Sequence, residues 1–177
     1  MPHRREKTSF DIYREGGTTS SIRMLIRMLL VVRQFRNTLD MHLRKIGQNT
    51  MRMEALGAIV NMQGPKSQSD LAKRLRVENA TITRTVDILS KEGLVERTPD
   101  PNDRRVNLLS ILPKGEEQLR EIFLVYDRMR EHVLAGVPPE RYDELSEIFD
   151  GMLAKLDEPL ADDILIADIP RPDRLFE

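Results

Sequence analysis

A chain of 177 residues has room for one domain with an extension, and its 40% hydrophobic content suffices for a core. It holds no cysteine, which excludes a disulfide framework, a thiol nucleophile and a thiol redox switch. The net charge of −1 conceals an asymmetry, with 11 Lys/Arg against 4 Asp/Glu in residues 1–52, 9 against 7 in residues 66–105 and 6 against 14 in residues 113–163, so it does not exclude an anionic partner. No apolar run approaches the roughly 20 residues that cross a bilayer. MPHRREKTSF has no apolar stretch after its basic residues, unlike a secretory signal. The expectation is a cytoplasmic protein with no membrane partner.

In chain order, residues 1–20 are polar, include Gly16-Gly17 and show no sustained period, so a disordered extension is expected. Ser20 or Ser21 offers an N-cap for a long helix. Its apolar stripe is Ile22, Leu25, Ile26, Leu29, Val32, Phe35 and Leu39, continued by Leu43 and Ile46. Gly47-Gln48-Asn49 stops it. A second helix starts near Asn49 or Thr50, buries Met53, Leu56, Ile59 and Val60, and ends before Gly64-Pro65.

Ser67-Gln68-Ser69-Asp70 has the spacing of a capping box and opens a short helix that buries Leu71, Ala72 and Leu75. Arg76-Val77-Glu78-Asn79 is the turn. The next helix, 79–92, buries Ile82, Val86 and Leu89, and Gly93 supplies the left-handed position that ends it. Leu94–Arg97 reads as a strand, Thr98–Asn102 as a turn around Pro99 and Pro101, and Arg105–Ile111 as the return strand. Pro113 suits the first position of a further helix, which carries Leu119, Ile122, Phe123, Tyr126, Met129 and Val133. Gly136 and Pro138-Pro139 break the chain. A last helix carries Tyr142, Leu145, Ile148, Phe149, Met152, Leu153 and Leu156, and a tail follows from 158, partly apolar at Ile164-Leu165-Ile166.

Two short helices followed by a hairpin with a charged tip have the layout of a winged helix-turn-helix. A helix fits the DNA major groove, and a hairpin tip reaches the minor groove beside it. The fold class expected is mainly α with a small β-wing (α+β), the terminal helices forming a dimerisation bundle. Residues 1–20 are then the extension, 21–48 the N-terminal dimerisation helix, 49–112 the DNA-binding region, 113–157 the C-terminal dimerisation helices and 158–177 the tail. A winged domain of about 65 residues cannot cover every apolar stripe on the terminal helices, and burying the remainder stabilises association at roughly 25 cal/mol per Å² before entropy costs.

SQSDLAKRL, TITRTVDILSKEGLVER and PDPNDRR followed by LPKG resemble the MarR family of winged-helix transcriptional regulators, with the similarity running from about Ser21 to Leu156. Asp103-Arg104-Arg105 after Pro-Asp-Pro is its most specific part. The resemblance implies a homodimer, a palindromic double-stranded DNA partner, and repression or activation often relieved by a small molecule.

Carried onto this chain, it implies that recognition helix 79–92 presents Asn79, Thr81, Thr83 and Arg84, with Asp87 a further outward position. Thr can bond base edges or touch a thymine methyl, and Arg can grip guanine through two acceptors. Ser67, Gln68 and Ser69 offer a helix N-terminus to phosphate, and Lys66, Lys73 and Arg76 add charge. In the wing, 98–105, alternation puts Asp103 and Arg105 on one side. The family pattern implies that Asp103 holds Arg105, which enters the minor groove, while Arg104 aims at phosphate. A ligand near Met41, His42, Met53 and Leu56 is the corresponding effector expectation.

Three positions depart from the pattern. Arg76 stands where Gly is common, Glu78 where Ser is frequent (so that Asn79 is the better cap), and Leu112 where Thr usually caps the next helix. His3, His42 and His132 lie far apart, so no metal or other cofactor is expected. No nucleophile elbow, P-loop or dinucleotide fingerprint points to an enzyme. The competing reading is a protein-interaction module that keeps the fold without specific operator binding, suggested by the modest charge of 66–105 and the unusual turn residues.

Overall fold

The computed structural model describes residues 8–63 and 66–159. Expectations for residues 1–7, for Gly64-Pro65 and for the tail beyond Pro159 lie outside the described residues. The chain divides into two compact units, Met1–Val133 and Leu134–Glu177.

In the first unit, a six-residue helix, α1 (Ser9–Arg14), falls where an extension without regular structure was expected. The reason is a local capping box, in which Thr8 and Asp11 bond reciprocally. Helix α2 (Ser20–Leu43) follows, capped by Thr19 and not by Ser20 or Ser21. Thr19 is extended at φ −81° and ψ 161°, and its hydroxyl accepts from the Ile22 amide at 3.2 Å. A 3₁₀ turn (Arg44–Ile46) ends at Gly47. Asn49 then caps α3 (Thr50–Asn61), and Asp40 Oδ1 accepts from the Thr50 amide at 2.6 Å, joining α2 to the start of α3.

Helix α4 (Gln68–Leu75) opens with the expected capping box between Ser67 and Asp70. Its C-cap is Arg76 at φ 53° and ψ 45°, a left-handed conformation that costs a side-chain-bearing residue roughly 1–2 kcal/mol. Helix α5 (Asn79–Lys91) begins after Glu78, which makes no side-chain cap bond. Asn79 lies inside the first turn and does not cap. At the far end Gly93 takes φ +71°, which turns the chain into the wing.

The wing strands are β1 (Val95–Pro99) and β2 (Asn107–Ile111), antiparallel, with Val95 opposite Ile111 and Pro99 opposite Asn107. β1 therefore runs two residues further than expected. Pro99 is tolerated as the last residue of a strand in a two-stranded sheet, where its missing N–H interrupts no ladder interior. β2 begins two residues later than expected, and residues 103–106 form the turn. Helix α6 (Pro113–Leu134) then starts with its proline at the first position.

One core joins these elements: Leu39 and Leu43 of α2, Leu56 and Ile59 of α3, Leu71 of α4, Ile82, Val86 and Leu89 of α5, Leu94, Val95 and Leu109 of the wing, and Leu119 and Ile122 of α6. Each such side chain contributes about 1.5–3 kcal/mol by leaving water. Gly115 is required by this packing, because a Cβ there would lie 2.2 Å from the Leu94 carbonyl oxygen. The outward face of α2 is different. Leu25, Leu29, Leu30, Val31 and Val32 stay 44–59% exposed, so only the C-terminal end of its stripe reaches the core. Phe123 and Val133 of α6 are also exposed, whereas Tyr126 and Met129 pack on the core edge.

In the second unit, a 3₁₀ turn (Pro139–Arg141) leads into α7 (Tyr142–Asp157). Asp143 and Glu144 in its first turn and Lys155 in its last complement the helix dipole. No residue of α7 is buried, and Ile148, Phe149 and Leu156 are 50%, 46% and 73% exposed. No helix among the described residues is long and apolar enough to cross a membrane.

Candidate nucleic-acid interface

Helix α5 sorts its side chains by face. Ile82, Val86 and Leu89 are buried, with Thr85, whose hydroxyl donates to the Thr81 carbonyl at 2.9 Å. Asn79, Thr81, Thr83 and Arg84 are exposed on the other side, as the sequence period required. Thr85 is the residue that period missed. Its own hydroxyl finds a partner one turn back, so a polar residue is accommodated in the core face.

The start of α4 is more closed than expected. Ser67 Oγ donates to Asp70 Oδ2 at 2.6 Å and accepts from the Asp70 amide at 3.1 Å, so its hydroxyl is fully engaged. These Ser67 hydrogen bonds, side chain first and backbone second, hold the Asp70 carboxyl below its ordinary range. Gln68 is half-buried with Nε2 shielded from solvent, whereas Ser69 and Lys73 are exposed. The Leu109 amide donates to the Lys66 carbonyl at 2.9 Å, fastening this helix start to β2.

The wing tip is built by two acidic side chains that bond backbone. Asp100 Oδ1 accepts from the Asn102 amide at 2.8 Å, and Asp103 Oδ1 accepts from the Arg105 amide at 3.0 Å. Asp103 thus organises the turn through the main chain of Arg105. The strand alternation expected to place their side chains together does not apply, since both lie in the turn. Arg104 and Arg105 are exposed. Among the described residues neither these two nor Arg84 forms an ion pair. Unpaired guanidinium groups offer their full charge and fork of donors to an anionic partner.

Two ion pairs beside the helix were not legible in the sequence. Asp87 is bound by Arg97 of β1, linking recognition helix and wing. Glu92, at the C-cap of α5, is bound by Arg52 of α3, whose hydrogen bonds lower the Glu92 carboxyl from its ordinary value against the opposing effect of burial. The partners lie 10 and 40 residues apart, separations to which no helical or strand period speaks.

Residues 58–106 match the sequence model of the MarR family. The fold agrees along most of the chain. It is similar to the transcriptional regulator BldR from Sulfolobus Solfataricus at 27% identity and TM-score 0.69, covering 76% of this chain and 95% of that one. It is likewise similar to the transcriptional regulator PA3341 at 26% identity and TM-score 0.67, covering 75% and 97%. Residues 58–106 are a MarR-family domain. A third similar structure, at 20% identity and TM-score 0.64, is S. aureus MepR in complex with DNA, covering 77% of this chain and 98% of that one. In MarR-family terms, α4 and α5 are the helix-turn-helix and β1–β2 the wing.

An open cavity of about 610 Å³ lies between α3, the end of α4 and α6. Met53, Leu75, Leu119, Phe123 and Tyr126 supply its apolar wall, and Glu54, Asn61 and Arg74 its polar groups. Of the four residues named for a ligand, only Met53 lines it. Met41 is 54% exposed, His42 half-buried and Leu56 wholly within the core. Tyr126 and Phe123 stack edge-to-face, with ring centres 5.7 Å apart. Glu54 is held by Arg36 of α2 at 2.8 Å. Helical period marked these side chains as apolar or polar, but not that α6 would stand off from α3. Among the described residues no group of His, Asp and Glu is placed to hold a metal ion.

Proposed function

We propose that this protein is a homodimeric, sequence-specific, DNA-binding transcriptional regulator. Helix α5 reads the major groove through Asn79, Thr81, Thr83 and Arg84. The wing, residues 98–105, enters the minor groove with Arg105, while Arg104, Gln68, Ser69 and Lys73 engage the backbone. Asp103 supports the wing turn. For Gln68 the contact is assigned to the main-chain amide, since its side chain is turned inward, whereas Ser67, whose hydroxyl and amide both donate to Asp70, supports the contact by closing the helix start.

The observation that carries this reading is one surface character: the exposed polar side of α5 and a wing tip with two arginines unpaired among the described residues, both on a single packed unit. The DNA-bound state of MepR, which shares the fold, supports it. The exposed apolar stripe of α2 supports the homodimer, because a second copy would cover Leu29, Leu30 and Val32 and give the two reading helices a common partner. Half-sites on a pseudo-palindromic operator would then lie about 34–36 Å apart. The cavity beside Met53 suits a small effector with an apolar body, whose binding between α3 and α6 would shift the helices that carry the reading surface.

Fragments selected from genomic DNA, titrated with salt, test the reading. A specific reader prefers its fragment over random duplex by about 10³ or more, with a steep negative salt slope. Equal, weak binding to all sequences at physiological salt would establish the interaction module instead.

A further inference from the structure

We infer that Arg52 and Glu92 are positioning residues, whose ion pair sets the angle at which α5 presents its first turns to DNA. The inference rests on the DNA-reading role proposed above.

Arg52 projects from α3 with a side chain only 13% exposed. Its two terminal nitrogens address the two Glu92 carboxylate oxygens separately: Nη1 donates to Oε1 at 2.9 Å, and Nη2 donates to Oε2. Such a fork fixes direction as well as distance. Among the described residues it is the only ion pair joining α3 to α5. The same residue is gripped a second time, since Lys114 Nζ at the start of α6 donates to the Glu92 carbonyl at 2.9 Å. Two residues on, the Leu94 carbonyl lies so close to Gly115 that no side chain fits between. The base of α5 is therefore clamped from α3 and from α6.

The opposite end is held by apolar packing, with Ile82 and Val86 wholly buried. Glu78 gives no side-chain cap bond, and the residues proposed to touch DNA are exposed. A helix held at its base by directed bonds and along its length by non-directional apolar packing takes its angle from the directed bonds. With 13 residues, α5 is about 18 Å from first to last Cα, and a tilt of about 5° at its base moves its first turn by about 1.5 Å. Directed hydrogen bonds tolerate misplacement of only about 0.5 Å. Loss of the Arg52 fork should thus be read out at Thr81, Thr83 and Arg84, two to three turns away from the change.

The test uses the full chain with Arg52→Gln, Glu92→Gln, Arg52→Lys and the exchanged pair Arg52→Glu/Glu92→Arg. Each is titrated against a duplex selected from genomic DNA and a random duplex of equal length. Each Gln variant should lose about tenfold of the preference for the selected duplex. Random-duplex affinity, salt slope, helical content and oligomer mass should stay as in the wild type. Arg52→Lys, which keeps charge without the fork, should lose an intermediate amount, and the exchanged pair should regain most of the preference. Unchanged preference in the Gln variants would overturn the inference, and so would an equal loss on both duplexes. A wild-type protein that itself prefers no duplex ends the DNA-reading role and this inference with it, and that result is visible before any variant is measured.

Discussion

Helices α2 and α5 are both amphipathic, yet they meet opposite fates. Ile82, Val86 and Leu89 of α5 are buried within their own chain to completeness, and of its large apolar residues Ile88 alone stays exposed. Most of those on α2 stand in the open, and only Leu39 and Leu43 near its end are covered. The exposed polar side chains of α5 and the wing arginines form a third kind of surface, polar and cationic. The contrast teaches that a period in the sequence tells which face needs cover. It does not tell whether the cover is the same chain, a second copy or a nucleic acid.

Substitutions on these faces should separate the cases. The largest effect belongs to the self-covered face: Ile82→Ala should cost about 2–5 kcal/mol in denaturant unfolding, by transfer and cavity terms together. Leu29→Glu, on the uncovered face, should leave the helical content intact but halve the sedimenting mass, because an unpaired charge at a desolvated interface costs several kcal/mol. If Leu29→Glu remains dimeric, α2 is not the partner surface. Arg105→Ala should weaken operator binding by about 1–3 kcal/mol with the dimer still folded, and unchanged affinity would remove Arg105 from the wing role.

Smaller effects sharpen the account of how the reading unit is held. Ser67→Ala should cost about 1 kcal/mol at neutral pH, the usual value of a helix cap. The Asp70 carboxyl is depressed in the folded state by its Ser67 bonds, so this contribution is present above the ordinary carboxylate range. It fades as pH falls through the lower folded value. Unfolding curves of wild type and Ser67→Ala should therefore converge in acid. Arg76→Gly should add up to about 1 kcal/mol by relieving the left-handed backbone, measured by the same unfolding.

Much of the first unit was legible because its signals are local. The Ser67–Asp70 box, Gly93 at φ +71°, the α5 core triad and Pro113 at a helix start each involve residues within one or two turns. The errors were local too, where neighbouring residues competed. Thr19 took the cap that Ser20 and Ser21 also offered, and Thr8 with Asp11 organised a helix too short for a period to show. Pro99 stayed in β1 because a two-stranded sheet has no far neighbour to miss its N–H.

What the sequence determined by itself is the winged layout and the outward set on α5, since caps, turn residues and apolar spacing act over a few residues. The folded chain alone decided that Arg52 would hold Glu92, that Arg97 would hold Asp87, and that Met53 would line a cavity while Leu56 sank into the core. Those outcomes depend on how helices stack. Stacking is set by the summed shapes of many side chains, and no short-range spacing encodes that sum.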